Sequence, residues 1–344
     1  MKPEAIARVL AKTIPARMPV LLTGAPGVGK TDIVKGCAKD AGYDLVITHP
    51  VVEDPTDAKG LPWVADDKKS AIFLPFGQLN KLLNAKRPTV WLIDDVGQAN
   101  AAVQAANMQW LLAREVNGHR LPDCVSLIAA TNRRQDRAGV QGLLEPVKSR
   151  FATILGVEVD LNQWCYWAFN NGVPVELIAF LRFMESTKKS YLHQFAASAD
   201  MTNSPSPRTW VNAGNLLKLK LDPQDEQEAI GGAVGQEYAD ELCAFLKLFR
   251  TVPNPDAVLL NPQAATIPTA PDVLWALSSA LVSRVNTSNF GRFAQYAERL
   301  NAGGHGEFSA LMLRGAIAEC PDVQHTGEFT RIATTNSALL FAEV

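Results

Sequence analysis

Eight residues, Gly24-Ala25-Pro26-Gly27-Val28-Gly29-Lys30-Thr31, carry the densest chemistry in the chain. Their spacing is G-x-x-x-x-G-K-[ST]. Glycines let backbone N–H groups converge on phosphate oxygens, and a helix that follows adds its positive N-terminal end. The Lys30 ammonium is placed to reach the β- and γ-phosphates, and the Thr31 hydroxyl to ligate Mg²⁺. A second site lies at Asp94 and Asp95, which end the apolar run Thr89-Val-Trp-Leu-Ile93. Alone, such a pair is a common turn former. Beside a phosphate loop, Asp94 reads as the metal-associated acid and Asp95 as the base for an attacking water. Asn132 follows the apolar run Cys124–Ala130 and either holds that water or serves as a turn residue. Arg150 ends the segment Glu145-Pro-Val-Lys-Ser-Arg150. It is either a cation favouring a helix C-terminus or a charge offered to a neighbour's nucleotide, and its position leaves both open.

These groups need a frame. Pro19–Thr23, Asp44–Thr48, Thr89–Ile93, Cys124–Ala130 and Ala152–Val159 are short apolar runs with helical patterns between most of them, which predicts a parallel sheet covered on both faces. The spacing of Ala5, Ile6, Val9 and Leu10 predicts a helix over Pro3–Thr13, and a second helix is expected over Lys30–Ala41. After Asp160 the strand-like runs stop. Leu161–Asn171, Val175–Thr187 and Pro207–Lys220 read as helices, with a polar linker over Ser198–Pro207. Further on, helical groups are expected over Glu226–Phe249 and Asp272–Leu300, separated by a Pro-rich loop over Val252–Pro271.

Length and composition bound the function. The chain has 344 residues, 47% hydrophobic and 20% charged, as an ordinary folded protein does. Its net charge of −2 gives no global reason to expect nucleic acid. From Leu216 onward fifteen acidic side chains outnumber nine basic ones, which makes a nucleic-acid partner for that third less favourable still. Five scattered cysteines, none in a C-x-x-C pair, argue against disulfides and zinc and for a reducing, cytoplasmic setting. No signal peptide is read at the N-terminus, and no apolar run is long enough to insert in a membrane. The five histidines have no metal-ligand spacing. A guanine-reading N-K-x-D is missing, since Asn80-Lys81 is followed by Leu82-Leu83, so ATP is the better nucleotide.

Taken in order, these residues resemble the AAA+ ATPases, and within them the MoxR-like group. The resemblance rests on Gly24–Thr31 as Walker A, Leu92-Ile-Asp94-Asp95 as Walker B, Asn132 as sensor 1, Arg150 as arginine finger and Ser206-Pro-Arg208 as sensor 2. It covers roughly residues 1–221. It implies an α/β fold: a P-loop core with a five-stranded parallel sheet over 1–159, a helical lid over 160–221, and a mostly helical C-terminal region over 222–344. It also implies ATP and Mg²⁺ as ligands, a homo-oligomeric ring, usually a hexamer, and a partner carrying a von Willebrand factor A domain. In such a ring Arg208 reports on the nucleotide, Arg150 completes the adjacent site, and the force is spent on a protein client. Gly60–Phe76 lies where the group has an insertion. Glu115–Leu121 reads as a hairpin turning at Asn117-Gly118, where the group has a second pore element. Trp63, Lys68, Lys69, His119 and Arg120 are then candidates to touch the client, or plain solvated loop residues. One departure stands out: Asp95 occupies the place where the group usually has Glu, one methylene longer. A nucleic-acid motor and an ATP-gated scaffold with slow hydrolysis are the alternative functions.

Overall fold

The computed structural model describes residues 1–136, 142–195, 201–249 and 253–335. These divide into two compact units, one built from residues 1–163 with residues 195 and 201 and the short segment 206–208, the other from 164–194, 202–205 and the residues from 209 onward.

The first unit opens with α1 (Pro3–Thr13), which has Pro3 in its first turn, Glu4 near its N-terminus and Lys12 near its C-terminus, each suited to its end of the helix dipole. Then come β1 (Val20–Thr23), α2 (Lys30–Asp40) and β2 (Asp44–Thr48). A short helix α3 (Pro55–Lys59) leads into the hairpin β3 (Leu61–Val64) and β4 (Ala71–Leu74). After α4 (Gly77–Leu83), β5 (Thr89–Ile93) and α5 (Ala101–Ala113), a second hairpin pairs β6 (Glu115–Val116) with β7 (His119–Arg120). The unit's elements end with β8 (Val125–Thr131), α6 (Glu145–Lys148) and β9 (Thr153–Gly156).

Five strands form one all-parallel sheet in the order β2-β5-β8-β1-β9. Alternation along each strand splits the core into two layers. Val20, Leu22, Val90, Leu92, Ile128 and Ala130 face α1 and α2, where Ile6, Leu10 and Val34 are buried. Leu21, Trp91, Ile93, Leu127 and Ala129 face the opposite layer, with Leu79 and Leu82 of α4 and Trp110 of α5. Burial on both faces is why these strands read as unbroken apolar runs rather than as alternating ones. The α/β P-loop architecture expected from the sequence is the one observed. The strand order is new information, because β8, late in sequence, lies between β1 and β5.

The second unit is helical: α7 (Leu161–Asn170), α8 (Val175–Ser186), α9 (Pro207–Leu217), α10 (Pro223–Val234), α11 (Gln236–Phe249), α12 (Pro255–Leu260), α13 (Pro271–Val282), α14 (Phe290–Ala302), α15 (Gly306–Glu319) and α16 (Gly327–Thr335). The first residues of α7 and α9 belong to the first unit. Phe180 packs against Trp210 and Phe245, while Leu277, Phe293, Tyr296, Met312 and Ile332 belong to a second apolar cluster. Two expected helical groups are each interrupted. Glu226–Phe249 breaks at Gly235, whose φ of 97° no helix accommodates, and Asp272–Leu300 breaks between Val282 and Phe290. The Pro-rich stretch contains α12, started by Pro255 and by the Asn254 side chain accepting from the Asp256 N–H. Residues 198–200 of the expected linker, residue 252 of the Pro-rich stretch, and 250–252 and 336–344 of the C-terminal region lie outside the described residues.

Candidate functional site

Parallel strands place their C-terminal ends on one edge of a sheet, and where the order reverses that edge opens a crevice. Thr23 of β1 is in register with Thr131 of β8, and Ile93 of β5 with Ala129 of β8. The residues that follow these strands, Gly24–Thr31, Asp94-Asp95 and Asn132, therefore emerge side by side.

The phosphate-type loop turns on Gly27 and Gly29, with φ of 75° and 93°, values a side chain resists. At Gly27 a Cβ would also lie 2.7 Å from the Ser206 hydroxyl, and the Arg208 N–H donates to the Gly27 carbonyl at 3.1 Å. Gly29 is the N-cap of α2 and supplies no side chain to its free N–H groups. Lys30, buried at 6% exposure, turns its ammonium back into the loop. It donates to the carbonyls of Gly24 and Ala25, each at 3.0 Å, and to Asn132 Oδ1 at 2.6 Å. Burial pushes the Lys30 pKa down to about 8; the charges of Asp95 and Asp94 oppose that fall and the charge of Arg208 adds to it. A buried cation beside an uncapped helix N-terminus is an environment short of negative charge, and it suits an anion such as a phosphate group.

The acidic side is built from β5. Asp94, also 6% exposed, accepts a 2.6 Å hydrogen bond from the Thr31 hydroxyl through Oδ2, while its Oδ1 accepts from the Asp95 N–H at 3.1 Å. The hydroxyl and the carboxylate converge with hard oxygen donors, as Mg²⁺ coordination requires. Asp95 has left-handed backbone angles, φ 56° and ψ 31°, and starts the single helical turn Val96–Gln98. Its Oδ1 accepts from Gln98 Nε2 at 2.8 Å and lies 3.4 Å from Asn132 Nδ2. Asn132 thus touches the lysine with its oxygen and the acid with its nitrogen.

Lys30, Thr31, Asp94, Asp95 and Asn132 form one connected cluster, with Arg208 reaching it through its main chain. Arg150 stands apart, between α6 and β9, with its N–H donating to Val147 O and its Nε buried without a partner among the described residues. Three participants were not legible in advance. Gln98 holds Asp95, the Thr131 hydroxyl lies 3.5 Å from Gln98 Oε1, and Asp136, 7% exposed, binds the Arg133 guanidinium at 2.9 and 3.0 Å.

Both candidate client-contacting inserts are hairpins. Leu61, Trp63, Ile72 and Leu74 are cross-strand partners on one exposed face of the first, with Lys68 and Lys69 in its turn. In the second, Asn117 and Gly118 have φ of 51° and 82°, the positive pair that a tight two-residue turn demands. The hairpins meet where His119 Nε2 lies 2.6 Å from Phe73 O, and Asn117 Nδ2 donates at 3.0 Å to Lys59 O at the end of α3.

Parts of the chain are similar to known proteins. Residues 20–159 match the family described as "ATPase family associated with various cellular activities (AAA)". A stretch of 190 residues is 26% identical to midasin of Giardia intestinalis, covering 52% of this chain and only 4% of that much longer protein. Among solved structures, a variant of RuvB from Thermotoga maritima is 15% identical with a TM-score of 0.41, over 81% of this chain and 80% of that one. NtrX of Brucella abortus, in complex with ADP, is 14% identical with a TM-score of 0.40, over 98% of this chain and 68% of its own. At these scores the structural likenesses add no argument of their own. The loop, the acidic strand end and the asparagine all fall inside the segment that matches the AAA ATPase family, and that segment has an α/β P-loop fold.

Proposed function

We propose that this chain hydrolyses ATP as a MoxR-like AAA+ protein, assembling into a homo-oligomeric, hexameric ring that remodels a protein client. The observation that carries the catalytic half is the cluster joining Lys30 and Thr31 to Asp94, Asp95 and Asn132. Gly24–Thr31 holds the triphosphate through backbone N–H groups and the Lys30 ammonium. Thr31 and Asp94 would hold Mg²⁺, which when bound neutralises charge on the β- and γ-phosphates. Asp95 takes the proton of the attacking water, and Asn132 fixes that water's position from the opposite side. Lys30 is already satisfied by three neutral oxygens, so arriving phosphates exchange those contacts for bonds in which both donor and acceptor carry charge. Arg208 senses the nucleotide, since its main chain is bonded to the loop at Gly27. Arg150, with a buried Nε that no described group satisfies, completes the site of the adjacent subunit.

The ring, the client and a von Willebrand factor A partner come from the family resemblance. They are supported by two joined hairpins that expose Trp63 and carry Lys68, Lys69, His119 and Arg120. The test is ATPase turnover per subunit against protein concentration, with Lys30→Ala as the blank. A specific rate that climbs and saturates is the expected result. A rate no higher than the blank at every concentration refutes hydrolysis by the chain alone.

A further inference from the structure

An aspartate at position 95 is one methylene shorter than a glutamate there, and a short carboxylate needs more help to present an oxygen to a water. Two bonds tie it to the same residue. The Gln98 N–H donates to the Asp95 carbonyl at 3.0 Å and the Gln98 side-chain Nε2 donates to Asp95 Oδ1 at 2.8 Å. The amide faces its donor Nε2 to the carboxylate oxygen and its acceptor Oε1 to the Thr131 hydroxyl. Oδ2 accepts no hydrogen bond from any other described residue. Asp95 has a left-handed backbone, which a residue other than glycine adopts at a cost, so the turn that makes this double tie is held against strain.

We propose that Gln98 is a positioning residue for ATP hydrolysis: it pins Oδ1 of Asp95 so that Oδ2 alone faces the attacking water. This rests on the reading of Asp95 as the water-activating base. A carboxylate rotating freely about its last bond offers either oxygen at any angle, whereas one pinned by a charge-assisted hydrogen bond offers a single lone-pair direction. The same side chain is only partly buried and is not part of the apolar core, so it is replaceable without opening the core. Its Oε1 lies 3.5 Å from the Thr131 hydroxyl, which sets the amide from behind.

Steady-state ATPase and binding of a fluorescent ATP analogue are measured on the full chain for the parent protein, Asp95→Asn, Gln98→Met and Gln98→Glu. Gln98→Met keeps the length and removes the donor. Gln98→Glu keeps the shape and puts an acceptor against the carboxylate. Since general-base assistance contributes about 10²–10⁴-fold, loss of its orientation is expected to lower kcat by about 10- to 100-fold. KM and analogue affinity should stay within about twofold, a split that a merely structural role would not give. An inactive Asp95→Asn beside a Gln98→Met enzyme of parent-like or higher kcat overturns the positioning role while leaving the base intact. A parent-like Asp95→Asn overturns the base itself, and the two failures are therefore distinct.

Discussion

Lys30 concentrates the residue-scale physics of the site. A buried ammonium whose pKa has fallen to about 8 is still mostly charged at neutral pH, and bound phosphates favour its charged form. Above pH 8, nucleotide binding must therefore take up a proton, and ATP affinity is expected to fall as pH rises, by up to about tenfold per pH unit. Titrating a fluorescent ATP analogue at pH 7, 8, 9 and 9.5 checks this; a flat profile contradicts it, and Lys30→Ala should be weak throughout. Folding has the opposite sign. The folded pKa lies below the ordinary lysine value of 10.5, so between about pH 8 and 10.5 the native state binds fewer protons than the unfolded chain. The cost of burying Lys30 is then relieved as pH rises through that window. At Thr31 the hydroxyl both contacts Asp94 and is the proposed Mg²⁺ ligand. Thr31→Ala is expected to raise the Mg²⁺ concentration needed for half-maximal ATPase by about tenfold or more, read from a metal titration.

Among elements, α5 and the P-loop show how far the site depends on its supports. Trp110 is fully buried on α5, donates from Nε1 to Ala58 O at 2.7 Å and meets Trp91 edge-on at 6.1 Å between ring centres. It joins the acidic strand β5 to the short helix α3 that launches the first hairpin. Trp110→Ala removes both the ring and the partner of a carbonyl, and a loss of about 3–5 kcal/mol is expected in a urea unfolding series. The loop's Gly27 is constrained in two ways, by a positive φ and by the 2.7 Å approach of Ser206 Oγ to any added Cβ. Gly27→Ala should weaken analogue binding by about tenfold or more. Adding Ser206→Gly should recover only the steric share, because the backbone strain persists.

For the whole molecule, the proposed ring makes one residue diagnostic. Arg150→Ala should bind the ATP analogue as the parent does and lose turnover by about 10³–10⁵-fold, the range for arginine fingers. Mixing it with Lys30→Ala should restore measurable hydrolysis, because a Lys30→Ala subunit supplies Arg150 to the intact P-loop of an Arg150→Ala neighbour. Equal loss of binding in Arg150→Ala, or no recovery on mixing, contradicts the trans role.

The local chemistry was readable from the chain itself. A loop with glycines at positions 27 and 29, a strand that ends in Asp94-Asp95 and an Asn117-Gly118 turn owe their form to neighbours within a few residues, where sequence and conformation are directly coupled. Placement of those pieces was not readable. Nothing near Asn132 in sequence says that its strand inserts between β1 and β5; that order comes from the crossover connections of the whole sheet, and only it brings an amide between Lys30 and Asp95. Gln98 escaped notice because its partner lies across a turn whose geometry depends on a left-handed residue other than glycine. The interrupted helices likewise reflect how apolar faces pack, since helical periodicity continues past Gly235 while the chain must turn to bury both sides. The sequence by itself determined which groups could bind and activate a phosphate. Tertiary structure decided which of them meet, because long-range strand order and side-chain reach are set by the packing of the whole core.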